Sequence, residues 1–316
     1  MRHFLRRLFN ACVAAAPVAI IRGFLKAFVV RPDVAERAGF QVYPKVFYSP
    51  MPIVEEIDIT RLRERRSLPG VALAVNDYLA LLRQLTRFAG ELAQIPRQKK
   101  LGEPIWYENG TYADFDTATL YAMLRHLKPA RYIEVGCGFS SRTSSLALEQ
   151  NRRDGAPCAA TYIEPYPPAH LAEIRLPGEF LDKKVQAVPP AVFQELQAGD
   201  VLFIDTSHVL KVQNDVEYEL LHILPVLRPG VWVHIHDIFT PYDYPEEWLT
   251  GPARGGNNEQ YALECLLSGG ADWEVMLPVH LLWREHRTEL ERLLTGTKDR
   301  PAAFWIRKRK QSVTTP

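Results

Sequence analysis

The stretch RYIEVGCGFSSRTSSLALEQ, Arg131 to Gln150, reads as a β-strand running into a glycine turn and then into a helix. Tyr132, Ile133 and Val135 form a β-favouring apolar run, and Gly136 and Gly138 permit a tight turn with close backbone approach. Ser140, Ser141 and the residues from Thr143 to Leu148 cap and continue a helix. In an open α/β sheet this is where a nucleotide-like ligand sits. A dinucleotide turn has the pattern G-x-G-x-x-G and holds pyrophosphate on backbone N–H groups at the helix N-terminus. Here Ser141 stands where the third glycine belongs, and Glu134, two residues before the first glycine, would repel a phosphate. That acid suits instead a ligand with a positive centre and an α-amino group.

Two glycines near an acid are a weak signal alone, so the following strands carry the argument. AATYIEPYPP from Ala159 is a short apolar strand closed by Glu164, an acid placed to meet a ribose diol. A third strand is expected around Lys184 to Val188. VLFIDTSH (Val201 to His208) gives an all-apolar strand ending in Asp205, as expected of a strand covered on both faces. A helical run from Asp215 to Leu227, stopped by Pro229 and Gly230, leads to VWVHIHDIF (Val231 to Phe239), a fifth strand with His234, His236 and Asp237 at its carboxyl end. Glu164, Asp205 and Asp237 thus all fall at strand ends, the ligand-binding rim of such sheets. WEVMLP (Trp273 to Pro278) and AAFWIRK (Ala302 to Lys308) read as two further strands around a charged segment.

At Glu134, Gly136 and Gly138 the chain resembles motif I of the class I S-adenosylmethionine-dependent methyltransferases, (D/E)-x-G-x-G, with Ser140 replacing a frequent third glycine. The run from about Asn109 to Phe239, with FIDTSH after strand four, HIHDIF at strand five and NEQYALECLL (Asn258 to Leu267) beyond, resembles the bacterial methyltransferase family 24; VFYSP (Val46 to Pro50) extends the likeness upstream. The resemblance implies a Rossmann-like α/β fold with a seven-stranded, mostly parallel sheet, S-adenosylmethionine as cofactor, and O-methylation of a small molecule or sugar. It places the cofactor against Glu134, Gly136, Gly138, Ser140, Ser141, Glu164 and Asp205. The readings that compete with it are an NAD- or nucleotide-sugar-binding Rossmann oxidoreductase and a non-catalytic adaptor on a methyltransferase fold.

Methyl transfer from a sulfonium requires alignment of donor and acceptor, and deprotonation where the acceptor is a hydroxyl. His208, three residues past Asp205, is the expected base, since histidine titrates near neutrality. Asp237 is the second catalytic expectation. In the related catechol and caffeoyl-CoA O-methyltransferases an Asp after strand four and an Asp-Asn pair after strand five hold a magnesium-type ion. Asp205 and Asp237 match the two Asp positions, but Ile238 stands where the Asn would be. A divalent metal on Asp205, Asp237 and His208 is therefore an expectation of mixed ligation, which favours manganese, iron or zinc. His234 and His236 share a strand face, with Asp237 on the other unless the strand has ended; His234 is expected to be buried and hydrogen-bonded. Asn109 and Tyr112 read either as ligand contacts or as turn and packing residues. Tyr242, Tyr244 and Trp248 lie in an aromatic, Pro- and Gly-rich loop suited to an acceptor pocket.

With 316 residues, 47% hydrophobic, the chain can bury a substantial core. Its net charge of +1 gives no global pointer to nucleic acid. Cys12, Cys137, Cys158 and Cys265 show no zinc-ligand spacing, so a reducing, cytoplasmic compartment is the default. Residues 1–32 put Arg2, Arg6 and Arg7 before an apolar stretch from Ala11 to Ile21, too short for a span of about 20 residues. They read as an amphipathic helix packed on the domain or a partner, as a segment lying on the inner membrane face through residues 1–30, or as a signal sequence. Residues 33–104 read as a helical extension or lid, with Leu79, Leu81, Leu82, Leu85 and Phe88 at helical spacing, and residues 105–310 as the methyltransferase domain. A homo-oligomer is compatible with all of this.

Overall fold

The computed structural model of the chain describes residues 18–112, 114–251, 255–269, 272–297 and 299–309. Its strands are β1 (Arg131–Val135), β2 (Ala159–Ile163), β3 (Gly178–Leu181), β4 (Val201–Ile204), β5 (Trp232–Ile235), β6 (Trp273–Pro278) and β7 (Phe304–Lys308). They form one sheet in the order β3-β2-β1-β4-β5-β7-β6. The pairs from β3 to β5 are parallel, and β7 runs antiparallel to both β5 and β6. A dinucleotide-binding sheet has the order 3-2-1-4-5-6. Inserting an antiparallel β7 beside β5 separates this fold from it and removes the topological support for the oxidoreductase reading.

Every residue of β4 and β5 is buried, which explains their uninterrupted apolar sequences. The third strand lies at Gly178–Leu181, not around Lys184 to Val188. β3 is an edge strand whose residues are mostly exposed, so it has no need of an apolar run. Val185 in a short 3₁₀ turn and Val188 at its cap are buried instead, which accounts for the apolar residues there.

The principal helices are α1 (Val18–Val30), α2 (Val75–Leu85), α3 (Asp114–Leu127), α4 (Phe139–Arg153), α5 (Asp215–Tyr218), α6 (Glu246–Thr250), α7 (Glu259–Ser268) and α8 (Val279–Glu285). The expected helix from Asp215 to Leu227 is irregular: Asn214 caps α5 through the Glu217 N–H, a π-turn follows at Glu219–Ile223, and a 3₁₀ turn containing Pro225 ends it. Pro225 has no N–H to continue the helical ladder.

The chain divides into two compact units, Met1–Ile57 and Asp58–Pro316. In the first, α1 buries none of its residues; Ile20, Phe24, Leu25 and Val30 are exposed, with Arg22 and Lys26 one turn apart. Arg2, Arg6 and Arg7 lie outside the described residues, as do Cys12 and the last residues of the basic tail. In the second unit α2 buries Tyr78, Leu81, Leu82 and Leu85 against β6 and α3. Residues 58–104, expected as an extension or lid, share this unit with the sheet. Arg66 ties them to it, donating to both oxygens of Glu264 and to the Tyr242 carbonyl.

Candidate active site

The glycine turn is held from below. Glu134 is fully buried, and its carboxylate accepts from Ser140 Oγ at 2.8 Å, Ser141 Oγ at 2.7 Å, Ser144 Oγ at 2.9 Å and Tyr132 Oη at 2.7 Å. Ser141 Oγ also accepts from the Gly138 N–H at 3.1 Å, fixing the first turn of α4. Burial pushes the Glu134 carboxyl above its usual range, against four hydroxyl donors that favour the charge. Glu134, Ser140 and Ser141 thus brace the turn from beneath through their side chains. Sequence position cannot distinguish an acid above a glycine turn from one beneath it; the serine run supplies the second clue.

Gly136 takes φ +83°, and a Cβ there would lie 1.8 Å from the Asp205 carbonyl oxygen. The close approach it permits is between the ends of β1 and β4, locked by Asp205 N–H to Val135 O at 2.9 Å. Gly138 is different, with open space where a Cβ would stand. Beyond these glycines lies a crevice of about 530 Å³, lined by Gly136, Glu164, Tyr166, Gln186, Asp205 and Asn214 among others. That is within the usual range for a small-ligand site. Glu164, at the end of β2, accepts from the Cys137 N–H at 3.2 Å and the Tyr166 N–H at 2.6 Å and borders this crevice.

On the other side of β4 the expected catalytic residues converge. His208 Nε2 lies 3.2 Å from Asp205 Oδ1 and 3.3 Å from Asp237 Oδ2. Its Nδ1 lies 3.0 Å from Glu259 Oε2, a buried carboxylate at the start of α7. Asp237 joins the group because β5 has ended at Ile235 and the chain turns at φ +57°, which sets aside the strand alternation. His208 is held in place at φ +58°, its carbonyl accepting from the Asn258 N–H at 3.0 Å. His236, its ring tilted against Tyr112 at 4.8 Å, reaches Asp237 Oδ1 at 3.6 Å.

Burial opposes charging His208, but Asp205, Glu259 and Asp237 outweigh it and raise its pKa well above that of free histidine. The surrounding carboxylates thus favour the charged form of His208 in the metal-free protein. Burial raises the Asp237 carboxyl, with the nearby histidines opposing. For Asp205 burial alone would do the same, yet His236 and His208 hold it below its usual value. Since folding raises the His208 pKa, its contribution to stability is complete below the unfolded value of about 6.5 and is lost as pH rises through the folded value. Metal-free protein is therefore expected to melt at progressively lower temperature from about pH 7 upward, and His208→Gln to flatten that slope; parallel slopes in thermal melts of the two proteins would contradict this.

Other residues fall into packing roles. His234 is buried and stacks on Phe203 at 4.3 Å with both ring nitrogens unpaired, so the expected hydrogen bond is absent. Burial lowers its pKa well below the usual value and keeps it neutral. Asn109 closes a turn, donating to the carbonyls of Trp106, Tyr107 and Tyr112. Tyr242 donates to Glu285, and Tyr244 Oη accepts from the Gln260 N–H. Trp248 borders a second cavity, of about 370 Å³, together with Asp116, His236 and Asp237. Asp116 accepts from the Ala302 and Ala303 N–H groups at 2.9–3.1 Å. In the sequence Glu259 reads as the start of a helix facing the acceptor pocket and Asp116 as a helix-cap candidate, but neither is signalled as a partner of His208 or of the Ala302 and Ala303 N–H groups.

Asp205, His208 and Asp237 offer one ligand atom each, all within 4.8 Å of one another. The donor chemistry fits a divalent cation: two carboxylates and an imidazole whose other nitrogen is held by Glu259, the arrangement that orients metal-bound histidines.

Residues 133–238 match a protein-family model described as a methyltransferase domain. Over these residues the chain is similar to the class I methyltransferases that its motif I resembles. S-adenosylmethionine is the methyl donor of that class, and the β3-β2-β1-β4-β5-β7-β6 sheet supports the matched residues. An uncharacterized protein of Archaeoglobus fulgidus is 28% identical over 179 residues, which are 53% of this chain and 79% of that protein. Among solved structures, the O-methyltransferase TomG from Streptomyces achromogenes, involved in tomaymycin synthesis and crystallised with S-adenosylmethionine, is 14% identical, with 76% of this chain and 92% of that chain covered and a TM-score of 0.37. A TDP-rhamnose 3'-O-methyltransferase of calicheamicin biosynthesis is 15% identical, with 77% and 99% covered and a TM-score of 0.40.

Proposed function

We propose that the methyltransferase domain O-methylates a small molecule or saccharide, with the cofactor in the 530 Å³ crevice and the acceptor in the cavity beside Asp237. One observation carries this reading. Asp205 borders the crevice, Asp237 borders the cavity, and His208 spans the two carboxylates at 3.2 and 3.3 Å. A donor on one side and an acceptor on the other would meet at this cluster.

Bound in the crevice, S-adenosylmethionine supplies an electrophilic methyl group on a sulfonium. Glu164 borders the site where a ribose diol would be held, and Gly138 leaves room for the ligand to approach α4. Asp237 takes the acceptor hydroxyl proton at Oδ1, with His236 Nε2 beside it at 3.6 Å. Its raised pKa makes it a stronger base than an ordinary carboxylate. Glu259 fixes the His208 ring so that Nε2 faces both aspartates. A divalent cation held by Asp205, His208 and Asp237 would acidify the acceptor hydroxyl.

Calorimetric titration with S-adenosylmethionine, S-adenosylhomocysteine and NAD tests the assignment. Micromolar binding of the adenosyl ligands alone is expected; NAD binding alone would revive the oxidoreductase, and binding of none would favour the adaptor. EDTA is expected to abolish transfer to a hydroxyl acceptor and Mn²⁺ to restore it, while unchanged activity would remove the metal from the account.

We further propose that residues 1–30 lie on the inner face of a membrane, keeping a cytoplasmic enzyme peripheral. The support is α1, an exposed apolar helix carrying Arg22 and Lys26, while no helix among the described residues is long and apolar enough to cross a bilayer. The full chain is expected to sediment with vesicles containing anionic lipid, and a chain lacking residues 1–30 to stay in the supernatant. Equal sedimentation of both would refute the contact.

A further inference from the structure

We propose that the chain pairs with a second copy of itself through the turn at residues 100–103, Leu101 of each copy seating in a hollow beside the turn of the other. The pairing is independent of the methyl-transfer reading, because the hollow shares no lining residue with the crevice or with the cavity beside Asp237.

The turn is closed by the Glu103 N–H, which donates to the Lys100 carbonyl at 3.2 Å. Gly102 takes φ +87°, the left-handed conformation that the third residue of such a turn needs. Leu101 is therefore the second residue, at the tip, and its side chain is fully exposed. A lone surface leucine means little. This one stands on a loop fixed at both ends: Lys99 Nζ meets Glu173 Oε2 at 3.2 Å and lies over the Trp106 ring at 5.1 Å, and the Pro104 carbonyl accepts from the buried Arg142 at 2.7 Å. A leucine presented on a fixed loop loses little conformational freedom when it is covered.

Beside the turn lies a hollow of about 350 Å³, which Glu103 and Pro104 at the end of the turn help to line. Most of the rest of its lining is apolar, from Ile95, Pro96, Ile105, Tyr121 and Leu146. Its walls are also set in advance. Glu91, on one side, accepts from Tyr121 Oη at 2.6 Å and from Arg125 Nε at 2.9 Å, and Pro104, on another, is held by Arg142. Seating a leucine there removes apolar surface of both partners from water.

The arrangement says what the occupant is. Knob and hollow sit side by side, so a twofold axis between them brings each knob to the other copy's hollow, the self-complementary patch that an isologous dimer requires. Charge agrees. Lys100 flanks the knob and Glu103 borders the hollow, and among the described residues neither has an ion-pair partner. Across the axis Lys100 of each copy meets Glu103 of the other. An anionic lipid or an acidic peptide would instead meet the carboxylates of Glu91 and Glu103 at the hollow.

Two knobs, two hollows and two exposed ion pairs make a small contact. The dimer is accordingly expected to be weak, with a dissociation constant on the order of 10 µM.

Sedimentation equilibrium of the full chain between about 1 and about 100 µM tests this, and a monomer–dimer equilibrium is expected. Leu101→Asp is expected to raise the dissociation constant at least about tenfold with the melting temperature unchanged, since a fully exposed side chain contributes little to the fold. Lys100→Glu and Glu103→Lys each set like charges against one another in both contacts and are expected to weaken the dimer about fivefold. Mixed in equal amounts, the two variants restore both pairs and are expected to associate with each other as tightly as the wild-type chain does with itself. A wild-type chain that stays monomeric at about 100 µM, a dimer that Leu101→Asp leaves intact, or a mixture no tighter than the single variants would overturn the proposal. Loss of sedimentation with anionic vesicles in Leu101→Asp would overturn it too, by giving the leucine to lipid.

Discussion

Replacing Gly136 with alanine is expected to destabilise the protein by about 3–5 kcal/mol and to eliminate binding of S-adenosylhomocysteine. Two effects add. The backbone at φ +83° is the left-handed region, which costs an L-residue roughly 1–2 kcal/mol. The new methyl would also lie 1.8 Å from the Asp205 carbonyl oxygen and 2.6 Å from its carbon, and neither is the end of a flexible side chain. The strand ends of β1 and β4 would have to part, breaking the Asp205 N–H to Val135 O bond and displacing the carboxylate that His208 meets. Gly138→Ala provides the contrast. Nothing lies within 4 Å of its Cβ position and its φ of −157° is outside the left-handed region, so the melting temperature should fall far less than for Gly136→Ala while cofactor affinity falls. Thermal melts and calorimetry on the two variants check both expectations. A Gly136→Ala protein with wild-type stability would show that the two strands can separate freely.

The legibility of this fold follows burial. β4 and β5 are buried along their whole length, so their composition alone announces them, and β6 begins and ends at Trp273 and Pro278 as its apolar run suggests. β3 is an edge strand with little to bury, and its sequence, Gly178 to Leu181, carries no such mark. The site was legible where residue type and strand end coincide, as for Asp205, His208 and Asp237. Sequence position does not give side-chain direction: Glu134, Ser140 and Ser141 direct their side chains under the turn. It was silent where the partner comes from far along the chain. Glu259 meets His208 across 51 residues and Asp116 meets Ala302 across 186, and no local pattern encodes either contact.

Asp237→Asn is the substitution expected to cost most in activity with least disturbance elsewhere. Asparagine has the same shape and tolerates the φ of +57° that Asp237 adopts, so the turn after β5 should be retained. What changes is the charge. The carboxylate that faces both His208 and His236, and that borders the acceptor cavity, can then no longer take a proton. A loss of about 10²–10⁴-fold in kcat is expected, with S-adenosylhomocysteine affinity within about twofold of wild type because the crevice is bordered by Asp205 and not by Asp237. Calorimetric Mn²⁺ binding should weaken in the same variant, since one of three charged or imidazole ligands has become a poorer donor. Removing one acid beside His208 also lowers that group's folded pKa, so the high-pH loss of stability in metal-free protein should be smaller and end at a lower pH than in wild type. A merely structural aspartate would behave differently: kcat would fall only in proportion to the folded fraction.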